Sequence, residues 1–234
     1  MDVKGKKAVV FGGTSGIGLA AVKMLAEKGA SVTGISRNPD KAGAPPVGAT
    51  FAGCDVRDRD ALAKLLGELA PYDILVSAAT GGDRAIGPFM EMDMDGYQAS
   101  FDKLWGYANV VRFGAGHLTD DGSIVLVSGA PARNCKPGQI SLSSVGGAVE
   151  AFARGVAPEL APKRINVVSP GTIDTPMVSM TGPEREAFYK KVTAENVIPR
   201  AGTAEECAQA IMFLIENDFV TGTTVDVDGG WILS

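Results

Sequence analysis

One histidine and three cysteines are all that this chain of 234 residues offers to transition-metal or thiol chemistry. Cys54, Cys135 and Cys207 are odd in number, far apart and without ligand-like spacing, so no metal centre is expected and the thiols read as reduced, mostly packed side chains. His117 has no neighbouring Ser or Cys partner and reads as stabilising the C-terminal end of its helix. There is no long run of Lys or Arg, and the formal net charge is -5. That balance leaves no electrostatic footprint for nucleic acid or an anionic membrane. No apolar run approaches a membrane span, and Asp2, Lys4, Lys6 and Lys7 stand where a secretory signal would need its apolar core. A cytoplasmic location is the expectation. Internal repeats, low-complexity stretches and interdomain linkers are also missing, so one domain over residues 1–234 is expected.

What is present is a regular alternation. Short apolar runs recur at 7–11, 31–35, 50–53, 73–77, 123–128, 165–169 and 223–227, and helix-patterned segments at 17–28, 60–69, 94–116, 143–160 and 204–215 lie between them. This spacing predicts βαβ crossovers, hence a parallel sheet of seven strands with helices on both faces. Runs such as AVVF, ILV and IVLV are apolar throughout, as strands buried on both faces should be. The turn-rich segment 38–49 is expected to replace or shorten one crossover helix. Asp120 and Asp121 read as a turn before the fifth strand, and residues 175–200 read as a mobile flap over a ligand cleft.

The first apolar run ends in GGTSGIG, Gly12 to Gly18, and passes straight into a helix. A tight strand-to-helix reversal that brings phosphate oxygens to the positive end of a helix needs glycine at Gly12, Gly16 and Gly18, and Thr14 and Ser15 add hydroxyl donors. The second strand ends Ile35, Ser36, Arg37. A cation there accepts a ribose 2′-phosphate where an acid would hold the 2′-hydroxyl, so Ser36 and Arg37 point to NADP(H) over NAD(H).

With these residues the chain resembles the short-chain dehydrogenase/reductase family along nearly its full length. The glycine turn is similar to that family's TGxxxGxG, with Gly12 in place of the first Thr. Asp55 and Val56 match its Asp-Val pair at the adenine, and Ala78, Ala79 and Thr80 fall, with Ser77, on its Asn-Asn-Ala-Gly. PGTIDTPM is similar to its segment along the nicotinamide, which assigns Pro170 and Gly171 to that wall and Ile173 and Thr175 to the carboxamide. The resemblance implies a Rossmann-type doubly wound α/β fold, NADP as cofactor, and a homodimer or homotetramer formed through the helices of segments 94–116 and 143–160.

The family's catalytic set is another matter. It draws a proton from a Tyr acidified by a Lys four residues on, yet the residues four after Tyr72, Tyr97, Tyr107 and Tyr189 are Val76, Phe101, Val111 and Thr193. Matching SLSSVGGAVEAF to the family's YSASKAAVEAF puts Leu142 at the Tyr position and Gly146 at the Lys position. The Ser position falls on Gly129, with Ser128 adjacent, and the Asn position falls on Lys103. Two side chains are therefore candidates for catalysis, Lys103 and Ser128, and Lys103 would bring an ammonium to the nicotinamide ribose from the opposite helix. Gly146 and Gly147 each cost about 1 kcal/mol relative to Ala within a helix, which either a close neighbour (cofactor, bulky substrate or another subunit) or tolerance of drift after loss of catalysis explains equally well. Ser141, Ser143 and Ser144 read as helix-start caps. Asp83, Arg84, Glu91, Asp93 and Asp95 read as ordinary loop solvation. Three functions follow: an oxidoreductase acting on a carbonyl or alcohol with a non-standard proton source, a non-catalytic NADP(H)-binding sensor or partner subunit, or a non-redox reaction above the cofactor, which no residue specifies.

Overall fold

The computed structural model describes residues 1–80 and 84–234. The chain runs β1 (Lys7–Phe11), α1 (Gly16–Glu27), β2 (Ser31–Ser36), β3 (Ala49–Gly53), α2 (Arg59–Leu69), β4 (Tyr72–Ser77), α3 (Met94–Ser100), α4 (Asp102–Gly114), β5 (Leu118–Val127) and α5 (Ile140–Leu160). It continues with β6 (Arg164–Pro170), β7 (Ile173–Asp174), α6 (Gly182–Val192), β8 (Gly202–Thr203), α7 (Ala204–Glu216) and β9 (Thr224–Val227). Seven parallel strands form one sheet in the order β3-β2-β1-β4-β5-β6-β9. The chain winds outward from β1 to β3, returns to the other side of β1 and winds outward again. That reversal opens a crevice above the carboxyl ends of β1 and β4, where doubly wound sheets bind ligands.

Side-chain alternation along the strands divides the interior into two cores. Ala8, Val10, Ile74, Val76 and Val125 face α1 and α7, whereas Val9, Phe11, Leu75, Ile124 and Leu126 face α2, α4 and α5. Both sets are fully buried, which is why these strands lack a polar face in the sequence.

Several boundaries differ from the sequence reading. The single helix expected over 94–116 is two, divided at Phe101. Ser100 Oγ donates back to the Gly96 carbonyl and also accepts from the Ala85 N–H, and this back-bonding bends the backbone at the division. Helix α5 begins at Ile140, behind an N-cap, Gln139, that makes no side-chain cap bond, so none of Ser141, Ser143 and Ser144 caps it. Strand β5 opens at Leu118, and Asp120 and Asp121 lie in an irregularity of its pairing with β4 instead of in a turn before it. The 38–49 crossover holds only a short 3-10 turn, Pro39–Ala42, as expected. The small parallel pair β7 and β8, Ile173 against Gly202 and Asp174 against Thr203, has no counterpart in the sequence reading.

Arg164, buried at the start of β6, ties α7 to the sheet by donating to the carbonyls of Leu214 at 2.7 Å, Ile215 at 2.7 Å and Val220 at 3.2 Å. It thereby satisfies carbonyls at and just beyond the end of α7 with a cation at the negative end of the helix dipole. Arg164→Met leaves the Leu214 and Ile215 carbonyls with only the long contacts from Ser123 and Met1 and the Val220 carbonyl with Asn166, and we expect a loss of about 1–3 kcal/mol in urea unfolding, with the sheet otherwise intact.

Candidate functional site

A cavity of about 580 Å³ occupies the crevice, and every residue singled out from the sequence for cofactor binding or catalysis lies on its wall. At one end the turn after β1 reverses under severe steric constraint. Gly12 has φ +75°, and a Cβ there would lie 2.8 Å from the Ala78–Ala79 backbone. A Cβ on Gly18 would lie 2.1 Å from the Gly12 carbonyl oxygen, so the first turn of α1 can sit on the strand end only without a side chain at this position. Ser15 is the N-cap of α1, and its hydroxyl makes no cap bond, which leaves both it and the first amides of a 12-residue helix facing the cavity.

The neighbouring wall fits the adenosine end of a dinucleotide. Ser36 Oγ is buried without a partner, and the exposed Arg37 lines the cavity next to it. An orphaned hydroxyl beside a cation is a donor set suited to a phosphate. Asp55 is oriented by Arg57, which donates to it from Nη2 at 3.1 Å and from the backbone at 2.9 Å and reaches Asp102 on α4 at 2.8 Å. Those hydrogen bonds hold the Asp55 carboxyl below its ordinary range. Val56 is anchored by the buried Asn109, whose amide donates to its carbonyl at 3.0 Å. Arg57 and Asn109 were missed in the sequence, although the CDVRD motif contains the first of them.

At the other end, Gly129, Leu142 and Gly146 line the cavity, as the family alignment implied. Lys103 enters from α4 and donates to the Ser128 carbonyl at 3.0 Å, with its ammonium 5.6 Å from the centre of the Tyr107 ring. Burial first, and then the Arg84 guanidinium, lower its pKa to about 8. Ser128 offers this site its carbonyl and not its hydroxyl, because Ser128 Oγ donates to the buried Glu150 at 3.0 Å. Glu150 in turn pairs with Arg133 at 3.5 Å, and Arg133 pairs with Asp226. Tyr107 is no acid either: its hydroxyl donates to the Val127 carbonyl at 3.1 Å, and burial pushes its pKa above the ordinary phenol value.

The unusual glycines separate into two cases. A Cβ on Gly146 would meet Ala132 Cβ at 3.0 Å and the Gly129 carbonyl at 3.4 Å, so the turn after β5 presses against α5 there. A Cβ on Gly147 would meet nothing within 4 Å outside its own helix among the described residues. Arg84 is exposed, as the solvation reading expected, and it also lines the cavity with its guanidinium against the Met177 thioether. Asp93 caps α3, donating no side chain to the cavity, and Asp83 lies outside the described residues. Gln139, with a buried Oε1 that has no partner, and Trp231 complete the wall, and neither was singled out in the sequence. Cys135 is exposed, contrary to the packed thiol expected, and no cluster of metal-ligating side chains occurs among the described residues.

A family model described as Enoyl-(Acyl carrier protein) reductase matches residues 12–232. Carbonyl reductase family member 4 of Danio rerio is 31% identical over 95% of this chain and 96% of its own length. The short-chain dehydrogenase/reductase malC of Malbranchea aurantiaca is 27% identical over 99% of this chain and 96% of its own. Among solved structures, a small-chain dehydrogenase in complex with NADPH superposes with a TM-score of 0.88 at 30% identity, covering 99% of this chain and 100% of that one.

Gly18→Ala tests the cradle independently of any ligand. The added methyl meets backbone it cannot displace, and we expect a loss of about 1–3 kcal/mol in thermal or urea unfolding.

Proposed function

The chain belongs to the short-chain dehydrogenase/reductase family, and from that premise we propose that it is an NADP(H)-dependent oxidoreductase that interconverts a carbonyl and an alcohol, with Lys103 as its proton donor. The NADPH complex of a relative with the same fold and the orphaned Ser36 hydroxyl beside Arg37 support the cofactor. In this reading Gly12, Thr14, Ser15, Gly16, Ile17 and Gly18 take the pyrophosphate, and Ser36 and Arg37 take the 2′-phosphate. Asp55 and Val56 take the adenine. Ala78, Ala79 and Thr80 flank the ribose, and Pro170, Gly171, Ile173 and Thr175 take the nicotinamide. Bound NADPH supplies a hydride to the carbonyl carbon.

The oxygen then needs a proton, and the observation that carries the proposal is the Lys103 ammonium held inside the cavity at the Ser128 carbonyl. Lys103 gives a proton to the oxygen, becomes a neutral amine and takes a proton back from solvent. A donor with a pKa near the working pH is the efficient choice for this transfer. Ser128 acts as a positioning residue through its carbonyl. The same ammonium serves the ribose hydroxyls from α4, a contact that Gly146 has no side chain to make. The family likeness supports a cytoplasmic homodimer or homotetramer.

Residues 175–200 serve as the flap over the substrate end. Arg185 clasps it, donating to Asp174 from Nε at 2.9 Å, to the Thr175 carbonyl at 2.8 Å and to the Met180 carbonyl at 3.1 Å.

Lys103→Met is expected to lower the reduction kcat by about 10²-fold or more, read as NADPH oxidation with a carbonyl panel. Unchanged turnover in that variant would sink the assignment. In the wild-type protein, reduction should decline as pH rises through about 8, where Lys103 loses its proton, and alcohol oxidation should rise over the same range. Stability gives a second reading of the same group. Because the folded pKa lies below the ordinary 10.5, the buried ammonium costs stability below about pH 8, and that cost fades between about 8 and 10.5. Lys103→Met should therefore melt above the wild type at pH 7, with the gap closing as pH rises. Arg37→Ala should shrink the preference for NADPH over NADH in fluorescence titrations by about tenfold, equivalent to about 1.4 kcal/mol.

A further inference from the structure

Electrostatics at the catalytic end of the cavity are one-sided. Among the described residues the wall carries a single carboxylate, Asp55, and that group is engaged by Arg57 at the adenosine end. At the opposite end two cations line the same cavity, Lys103 at the Ser128 carbonyl and Arg84 at the Met177 thioether. No carboxylate among the described residues offsets either of them. Two like charges facing one cavity without a counter-ion are unfavourable until an anion arrives.

Arg84 stands on an anchored backbone, with its exposed side chain at the Met177 thioether. The next residue, Ala85, receives the Ser141 hydroxyl on its carbonyl and gives its N–H to Ser100 Oγ at 3.0 Å, so it is pinned between α3 and α5. Ser141 adjoins Leu142, and both line the cavity with Arg84, so the anchored backbone sets Arg84 at the Leu142 end of the cavity. The surrounding wall is apolar, with Leu142, Val145, Met177 and Trp231. Gln139 Oε1 adds one unpartnered acceptor.

Resting on the oxidoreductase reading above, we infer that the substrate is an oxo acid with an apolar chain, its carboxylate paired with Arg84 while its carbonyl oxygen faces Lys103. A guanidinium forms two parallel hydrogen bonds to a carboxylate, which fixes the orientation of the acid as well as its charge. The carboxylate also relieves the repulsion between Arg84 and Lys103. The bound acid therefore assists the group that protonates its own carbonyl.

The test compares 3-oxohexanoate with its methyl ester in NADPH oxidation by the intact protein. The acid should be reduced with kcat/KM about 10²-fold above the ester. Arg84→Met should remove most of that advantage through the KM of the acid and shift the basic limb of the pH profile upward for acid and ester alike, whereas Arg84→Lys should keep part of the preference. An ester used as well as the acid, with Arg84→Met altering neither, would overturn the inference while leaving the reaction standing. A separate measurement isolates the anion site: hexanoate and hexanamide are titrated into the NADP⁺-loaded Trp105→Phe protein and followed through Trp231 fluorescence. Arg84-dependent binding of hexanoate alone, without reduction of any oxo acid, would uphold the anion site and reject the oxidoreductase reading. Equal binding of the acid and the amide would reject the anion site.

Discussion

The carbonyl of Gly12 and the backbone of Gly18 stand so close that even a methyl group on Gly18 would approach that oxygen to 2.1 Å. Much of the architecture depends on this contact. It lets α1 start almost on top of β1, which brings the helix N-terminus into the crevice and lays α1 beside α7 over one face of the sheet. It also leaves Gly12 against the Ala78–Ala79 backbone at the end of β4, so the turn and the neighbouring strand end share one wall. A looser turn would move the helix away from the crevice, and the amides of the first turn would no longer converge on a point.

The second constraint is a buried cation whose support reaches across the molecule. Lys103 on α4 bonds the Ser128 carbonyl, Ser128 bonds Glu150 on α5, Glu150 pairs with Arg133 after β5, and Arg133 pairs with Asp226 on β9. Burying Glu150 is tolerable because a hydroxyl and a guanidinium both meet it. The packing of Gly146 against the turn at 129–132 gives that turn its close seat on α5, and the Ser128 carbonyl that receives Lys103 belongs to the residue just before it. Gly146 on α5 and Lys103 on α4 are thus linked through one turn, by packing on one side and by a hydrogen bond on the other.

The fold was legible because doubly wound sheets carry strong signals: apolar runs buried on both faces, and helical segments of regular length between them. The glycine turn and Arg37 were legible because their chemistry is local to a few consecutive residues. Less could be read where the determinant is long-range or competitive. The division at Phe101 arises from Ser100 bonding both to its own helix and to Ala85, which no periodicity in segment 94–116 discloses. Arg84 looked like any loop cation until Ser141 and Ser100 fixed its neighbour, and the diversion of the Ser128 hydroxyl depends on Glu150, 22 positions away. The β7–β8 pair is too short for any alternation to register, and only the return of the chain makes it visible.

That two-residue clip has an evolutionary consequence. Because β7 and β8 close the loop between Asp174 and Gly202 at its base, the length and sequence of what lies between are nearly uncoupled from the main sheet. Loop-closure entropy grows only logarithmically, so doubling such a segment costs roughly 0.6 kcal/mol. Insertions, deletions and new side chains can therefore accumulate above the catalytic end while the nucleotide cradle stays rigid. The segment outside the clip is the part of the chain that can diversify at least cost.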